Sequence, residues 1–274
     1  MSGVWSITSR SFLLSLCLLA GSAWAAPPRE ILVGAYNFPP YMVHPEQDAG
    51  SGLTVELVAL LNQVQKRFHF SIVPTSSARR YRDLQTGRYD LILFEDPDWG
   101  WEGARYSLVD MGIDDAEVYV ARAVPGRDEA YFDTLKGKRL VVYAGYHYGF
   151  AGFDSDPEYL MREFNAMLTY SHDSNLLMVL RDRADIALVT RSYLGMYLER
   201  NPDVAGQFLV SDRVDQYYRH YALLRPGAAI SPSRFAHLLE SLRADGSLER
   251  IFGRYRIRVS PASVDNSAAG RGRD

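Results

Sequence analysis

Between Ile31 and Asp90 apolar and polar positions fall into blocks that read as strand, loop, helix, strand, helix, strand. Ile31-Leu32-Val33-Gly34 is a short apolar run, followed by an aromatic-proline loop, Tyr36-Asn37-Phe38-Pro39-Pro40-Tyr41, and a glycine-flanked turn, Gly50-Ser51-Gly52. Leu53, Leu57, Leu61, Val64 and Phe68 then recur at three- or four-residue spacing, which puts them on one face of a helix. Phe70 to Val73 reads as a second strand, Ala78 to Gly87 as a short helix stopped by a glycine, and Asp90-Leu91-Ile92-Leu93-Phe94 as a third strand. Continuous apolar strands alternating with helices imply a largely parallel sheet covered on both faces. Ligands of such sheets bind beyond the carboxyl ends of the strands, so the loops after Gly34 and Phe94 are the first candidates for a site.

The pattern repeats farther along. Ala116 to Ala121 alternates as a strand that crosses between domains, and Arg139 to Tyr143 is another strand, with a turn from Gly145 to Gly149. Asp156 and Pro157 suit the start of a helix, Met167 to Tyr170 a strand, and Asp173 or Ser174 the cap of a helix over Asn175 to Asp182. Asp185 to Val189 closes this unit as a buried strand. Leu84-x-x-Gly-Arg-Tyr-Asp-Leu-Ile-Leu-Phe and Leu180-x-x-Arg-Ala-Asp-Ile-Ala-Leu-Val echo each other as a helix end, an Asp and an apolar strand, which predicts two similar lobes. Tyr217 to Leu224 would return the chain across the hinge, followed by helices over Ser231 to Ala244 and Leu248 to Tyr255. The division expected is 26–121 for the first part of lobe 1, 122–216 for lobe 2, and 217–259 for the return strand and the helices back on lobe 1. Residues 260–274 lack an apolar face and read as a disordered tail.

Composition adds a compartment. Arg10, the apolar Phe12 to Ala20 and the small-x-small Ala23-Trp24-Ala25 form an export leader over residues 1–25. The only cysteine, Cys17, lies inside that leader, so the exported chain is held by its core rather than by disulfides. The whole chain carries 30 basic and 33 acidic side chains; losing Arg10 leaves 29 against 33, a net charge of −4. A mildly acidic chain without a basic stripe is a poor partner for nucleic acid. No run after the leader is long and apolar enough to span a bilayer, so a periplasmic location is expected.

Candidate chemistry gathers in the acidic, aromatic loop Glu95-Asp96-Pro97-Asp98-Trp99-Gly100-Trp101-Glu102. Trp99 and Trp101 suggest a pocket wall, because large rings are uncommon on plain loops. Glu95 and Glu102 can pair with a cation or work as acid and base. The six histidines show no short paired spacing of the zinc kind; His147 stands in a predicted pocket turn and reads as a polar liner. No nucleophile elbow, phosphate loop or cysteine nucleophile is present, and no cofactor or metal is called for.

The leader, the Phe38-Pro39-Pro40-Tyr41 loop, the Gly52-x-x-x-Glu56-Leu57 helix start, Leu84-x-x-Gly87-x-x-Asp90, Gly137-Lys138 to Gly145, and Leu242-x-x-x-Gly246-Ser247-Leu248-x-x-Ile251 together resemble the periplasmic solute-binding proteins. The resemblance is to the type II, family 3 proteins that serve ABC importers of polar amino acids, and it covers about Ile31 to Tyr255. It implies an α/β fold of two lobes, each a mostly parallel sheet flanked by helices, joined by two hinge strands that close on a small polar solute. It also implies a membrane ABC permease as partner, a monomer, and binding without turnover. Relatives of the fold that resemble cyclohexadienyl dehydratases, and others that dock on membrane receptor kinases, supply the alternatives.

Position by position, the resemblance puts the ligand-stacking aromatic on Phe38, with Tyr41 close behind, and the small polar residue after the third strand on Glu95. The arginine that clamps a ligand carboxylate falls on Glu102 by strict count, or on Arg105 if the loop carries an insertion. The glycine turn of the second lobe matches Gly145, but Tyr146 and His147 replace the small hydroxyl residues that follow it, and Thr190 replaces an acid that holds the ligand amine. A buried carboxylate needs a cationic partner. Arg105, or Arg79 or Arg80 at the start of the second helix, fills that need, or the ligand is not an ordinary α-amino acid. In the latter case Glu95 and Glu102, flanked by tryptophans, would favour an amine.

Overall fold

The computed structural model describes residues 27–47 and 50–260. The expected leader, with Cys17, and positions 261–274 of the expected tail lie outside the described residues. In chain order the elements are β1 (Arg29–Ala35), α1 (Leu53–Val64), β2 (Phe68–Pro74), α2 (Arg80–Gln85), β3 (Leu91–Glu95), β4 (Ser107–Arg122), β5 (Leu140–Tyr143), α3 (Pro157–Phe164), β6 (Ala166–Thr169), α4 (His172–Leu180), β7 (Ile186–Thr190), α5 (Arg191–Arg200), α6 (Pro202–Ala205), β8 (Phe208–Leu224), α7 (Pro232–Ala244) and α8 (Ser247–Gly253).

The strands lie in the order β2-β1-β3-β8-β4-β7-β5-β6. β1 pairs in parallel with β2 and β3, and β5 in parallel with β6 and β7. These two parallel sets are the cores of two lobes. The long strands β4 and β8 run antiparallel between them, from Ser107 opposite Leu224 to Arg122 opposite Phe208. The result is the two-lobed α/β architecture expected, and the fully buried β3 and β7 are its innermost apolar runs.

Several elements differ from the sequence reading. Leu53, Leu57 and Leu61 form the buried face of α1, but Val64 is exposed and Phe68 belongs to β2. Gln65 stops the helix: its side chain accepts from the Phe68 N–H at 2.8 Å and donates to the carbonyls of Leu61 and Phe68. β4 begins at Ser107 and β8 at Phe208, well before the expected Ala116 and Tyr217. The acidic start of β4 looked like loop because Asp110 and Asp114 are polar, yet both face Arg219 on β8, which pairs with them at 2.7 and 3.4 Å. Val109, Met111 and Ile113, which alternate with them, are buried. Ser171 caps α4 in place of Asp173 or Ser174, whereas Asp156 caps α3 as expected, accepting from the Tyr159 N–H at 2.8 Å. Helices α5 and α6 were not foreseen. Ser260, expected in the tail, donates its N–H to Gly112 at 2.7 Å.

The sequence echo has a structural cause. Asp90 stands just before β3, accepts the Leu32 N–H of β1 at 3.0 Å and pairs with Arg225 at 2.6 Å. Asp185 stands just before β7 and does the same for the strand beside it, accepting from the Arg139 N–H at 2.7 Å and from its guanidinium at 2.8 and 3.0 Å. Each lobe thus ties two parallel strands together with one carboxylate. The Asp90 side chain is 7% exposed and that of Asp185 27%. Asp90→Ala is therefore expected to lower stability by about 3 kcal/mol, because it leaves the half-buried Arg225 and the N–H groups of Leu32 and Ala229 without their partner. Asp185→Ala should cost clearly less, and urea unfolding of the two variants checks the order.

Candidate functional site

The register of the central strands assembles a polar row. Glu117 of β4 faces Thr190 of β7 on one side and Gln216 of β8 on the other, so the three share one face of the sheet. Asp115 and Tyr218, paired in the next row, point the same way. Glu117 is 2% exposed. Its Oε1 accepts from the Thr190 hydroxyl at 2.7 Å and the Tyr218 hydroxyl at 3.4 Å, and its buried Oε2 has no partner. Burial raises the Glu117 carboxyl well above the usual carboxylate range; the Thr190 hydrogen bond opposes this, and the charges of Asp115 and Asp215 add to it.

Above this floor lies a narrow gap between the lobes. Tyr36, Phe38, Arg80 and Trp99 line it from the first lobe, and Gly145, Tyr146 and His147 from the second. Phe38 meets Trp99 and Tyr146 edge-on, with centroids 5.6 and 5.2 Å apart, so rings from both lobes touch across the gap. Gln216 bridges the seam: its side-chain oxygen accepts from the Trp99 indole at 3.1 Å and its amide donates to the His147 carbonyl. Asn37 donates to the Tyr143 hydroxyl at 2.6 Å. Gly145 takes φ +82°, and a Cβ there would run into the Ser77 hydroxyl, so this close approach of the lobes requires glycine.

Arg80 is buried at 1% exposure. Its Nε donates to Glu95 at 3.2 Å and its Nη atoms to the carbonyls of Ser77 and, at 3.2 Å, Trp99. The guanidinium lies 4.8 Å from the ring centre of Tyr36 and 4.3 Å from that of Tyr81. Glu95 Oε2 also accepts from the Trp101 indole at 2.8 Å. Burial raises the Glu95 carboxyl, and Arg80 opposes that shift. The strand is bent to aim this side chain: the ladder with β8 slips between Ile92 and Glu95, and Phe94 takes φ +61°. Such a bulge re-aims a side chain, at a cost of roughly 1–3 kcal/mol for a left-handed residue other than glycine.

His147 joins the two sides. Its Nδ1 donates to the Phe153 carbonyl at 2.6 Å, and Nε2 lies 2.9 Å from the Tyr81 hydroxyl, itself 2.7 Å from the Trp99 carbonyl. Burial, with the positive charge of Arg80, lowers its pKa to about 4, so the ring is neutral near pH 7. His172 is buried among Tyr143, Tyr146 and Tyr193 with both nitrogens unpaired, and burial lowers it to about 3.

Of the residues expected from sequence, Phe38, Arg80, Trp99, Gly145, Tyr146 and His147 line the gap. Glu95 and Trp101 lie behind Arg80, Thr190 holds Glu117, and Tyr41 packs under Phe38 at 4.8 Å while donating to Asp115 at 2.7 Å. Arg79, Glu102 and Arg105 are exposed and are not part of the lining. Arg79 precedes the first turn of α2 and points to solvent where Arg80 turns inward. Glu102 and Arg105 follow the turn at Gly100, beyond buried Trp101, although the charge of Glu102 still acts on Tyr81 and His147. The pairing of Glu95 with Glu102 around a ligand is thus corrected: Glu95 is taken by Arg80. Tyr36, Glu117 and Gln216 were missed. A lone acid inside the apolar run Ala116 to Ala121 was the available signal for Glu117.

No family model and no curated protein matches the chain. Solved structures do. A histidine kinase sensor domain similar to periplasmic binding proteins superposes with TM-score 0.61 at 21% identity, over 83% of this chain and 96% of that one. An ABC uptake transporter substrate-binding protein from Streptococcus pneumoniae with bound histidine gives 0.62 at 20% identity, over 82% and 92%. An ancestral amino-acid-binding protein, a precursor of cyclohexadienyl dehydratase, gives 0.59 at 15% identity, over 82% and 94%. The fold is that of the two-lobed periplasmic binding proteins. Among the described residues, no helix is long and apolar enough to cross a membrane and no cluster of His, Cys, Asp or Glu is arranged to hold a metal.

The buried histidines give the stability a pH dependence. An unfolded histidine takes up a proton below about pH 6.5, whereas His172 stays neutral in the fold down to about 3. The unfolded chain then binds the extra proton, so this contribution is present above pH 6.5 and is lost as pH falls. In urea titrations His172→Leu should lose about 2 kcal/mol less stability than the parent chain between pH 7 and pH 5.

Proposed function

We propose that the chain is an exported solute-binding protein that captures a small polar solute between its lobes and hands it to a membrane ABC permease, without turnover and as a monomer. The observation that carries this reading is the pair of unpartnered polar atoms at the seam, Glu117 Oε2 and the Tyr146 hydroxyl. A buried polar atom left without a hydrogen bond costs about 1–3 kcal/mol, and a bound solute repairs both at once. β4 and β8 are the hinge on which the lobes part, the chain passing into the second lobe near Arg122 and returning within β8. The likeness to the S. pneumoniae protein and the leader over residues 1–25 support transport, and the likeness to the sensor domain keeps receptor docking as the alternative use of the same capture.

One observation favours a second reading, turnover in the same cleft: a carboxyl whose pKa burial raises, placed beside the gap, has the properties of a general acid. Conversion of a cyclohexadienyl acid by the purified chain would establish it.

A thermal-shift screen of residues 26–274 against amino acids, polyamines, quaternary amines and small carboxylates tests the binding reading. A solute present at about a hundred times its Kd should add about 2.7 kcal/mol, a rise of a few degrees in Tm. Millimolar concentrations of all four classes without a shift would overturn solute binding.

A further inference from the structure

Resting on the solute-binding reading, we propose that the gap, on parting of the lobes, selects a protonated primary amine, its N–H groups held by Glu117 Oε2 and the Tyr146 hydroxyl and its body packed against Phe38 and Trp99. The case begins with Arg80, the one cation among the described residues that line the gap. Arg80 is already engaged at Nε by Glu95 and at both Nη atoms by carbonyls, and rings lie over it on two sides. A ligand carboxylate would have to displace Glu95, itself 0% exposed and held by Trp101. Arg80 and Glu95 cancel, and His147 is neutral, so the ionisable group left unmatched at the gap is Glu117.

The hydrogen-bonding inventory points the same way. Glu117 Oε2 is an acceptor and the Tyr146 hydroxyl accepts as well as donates; both are buried and unpartnered. A primary ammonium offers three N–H donors, whereas a quaternary ammonium offers none and leaves both atoms unpaired. The aromatic walls favour a cation over an anion, since ring faces are negative. The apolar part of the ligand is matched by the same rings.

In the empty site burial and like charge bias Glu117 towards its acid form, for the reasons given above. The groups that face it set this balance: Asp115 on its own strand, Asp215 and Tyr218 on β8, Tyr146 and Tyr148 from the second lobe, and Arg80 across the gap. When an ammonium arrives it keeps its own protons, and the carboxyl proton of Glu117 leaves to solvent. Binding therefore releases up to one proton, and affinity rises with pH until the amine itself loses its charge, near 10.

Calorimetric titration of the full chain with n-butylamine, tetramethylammonium, L-alanine and butyrate, in two buffers of different ionisation enthalpy, tests this. n-Butylamine should bind at least tenfold tighter than the other three and release a proton. Glu117→Gln should weaken it at least tenfold and abolish the proton release, while remaining folded, since the exchange removes a buried acid and keeps its shape. Tyr146→Phe should weaken it severalfold without changing proton release. Tightest binding of L-alanine or butyrate, or an n-butylamine affinity unchanged in Glu117→Gln, overturns the amine selection and leaves solute binding standing. No heat with any of the four overturns the amine selection, while a positive shift elsewhere in the thermal screen still supports capture of another solute.

Discussion

Everything in this molecule hangs on the antiparallel ladder between β4 and β8. It is the one element shared by the two parallel sets, and its register decides which side chains meet at the floor of the gap. A one-residue slip would turn Glu117 and Gln216 to the opposite face of the sheet, since side chains alternate along a strand. The pairing of Arg219 with Asp110 and Asp114 on the solvent side therefore does more than join neighbours: it helps fix the register that places the floor.

On that floor the electrostatics divide into two parts with different characters. Arg80 and Glu95 form an ion pair, buried, mutually neutralised and covered by rings, with Glu95 Oε1 left without a partner, and belong to the wall. Glu117 is left open, with a satisfied oxygen turned to Thr190 and an unsatisfied one at the gap. A pocket whose wall charge is internally balanced presents the remaining carboxyl as its sole electrostatic preference. That is why a single strand residue outweighs the acidic loop that first attracts notice.

The fold was largely legible because its strands are buried on both faces and read as continuous apolar runs, and because the two lobes repeat one device, an Asp between a helix end and a strand. Phe38, Trp99, Tyr146 and His147 were legible as loop residues at the carboxyl ends of strands, and Arg80 as the start of the second helix. What the sequence hid were contacts made by register. Nothing local brings Thr190, Glu117 and Gln216 together; they are neighbours only because three strands far apart in the chain align. The early part of β4 was hidden for a similar reason, its acids being compensated by an arginine on another strand. Glu102 and Arg105 misled because counting along a loop cannot tell which side of Trp101 the chain passes.

The two tryptophans of the acidic loop differ in one respect with a practical consequence. The Trp99 indole is tied to Gln216 on the seam, where parting of the lobes would break its hydrogen bond and wet the ring. The Trp101 indole is fastened to Glu95 inside the first lobe, away from that motion. On the proposed parting of the lobes, Trp99 would be an optical reporter of opening and Trp101 its internal reference, two fluorophores two residues apart.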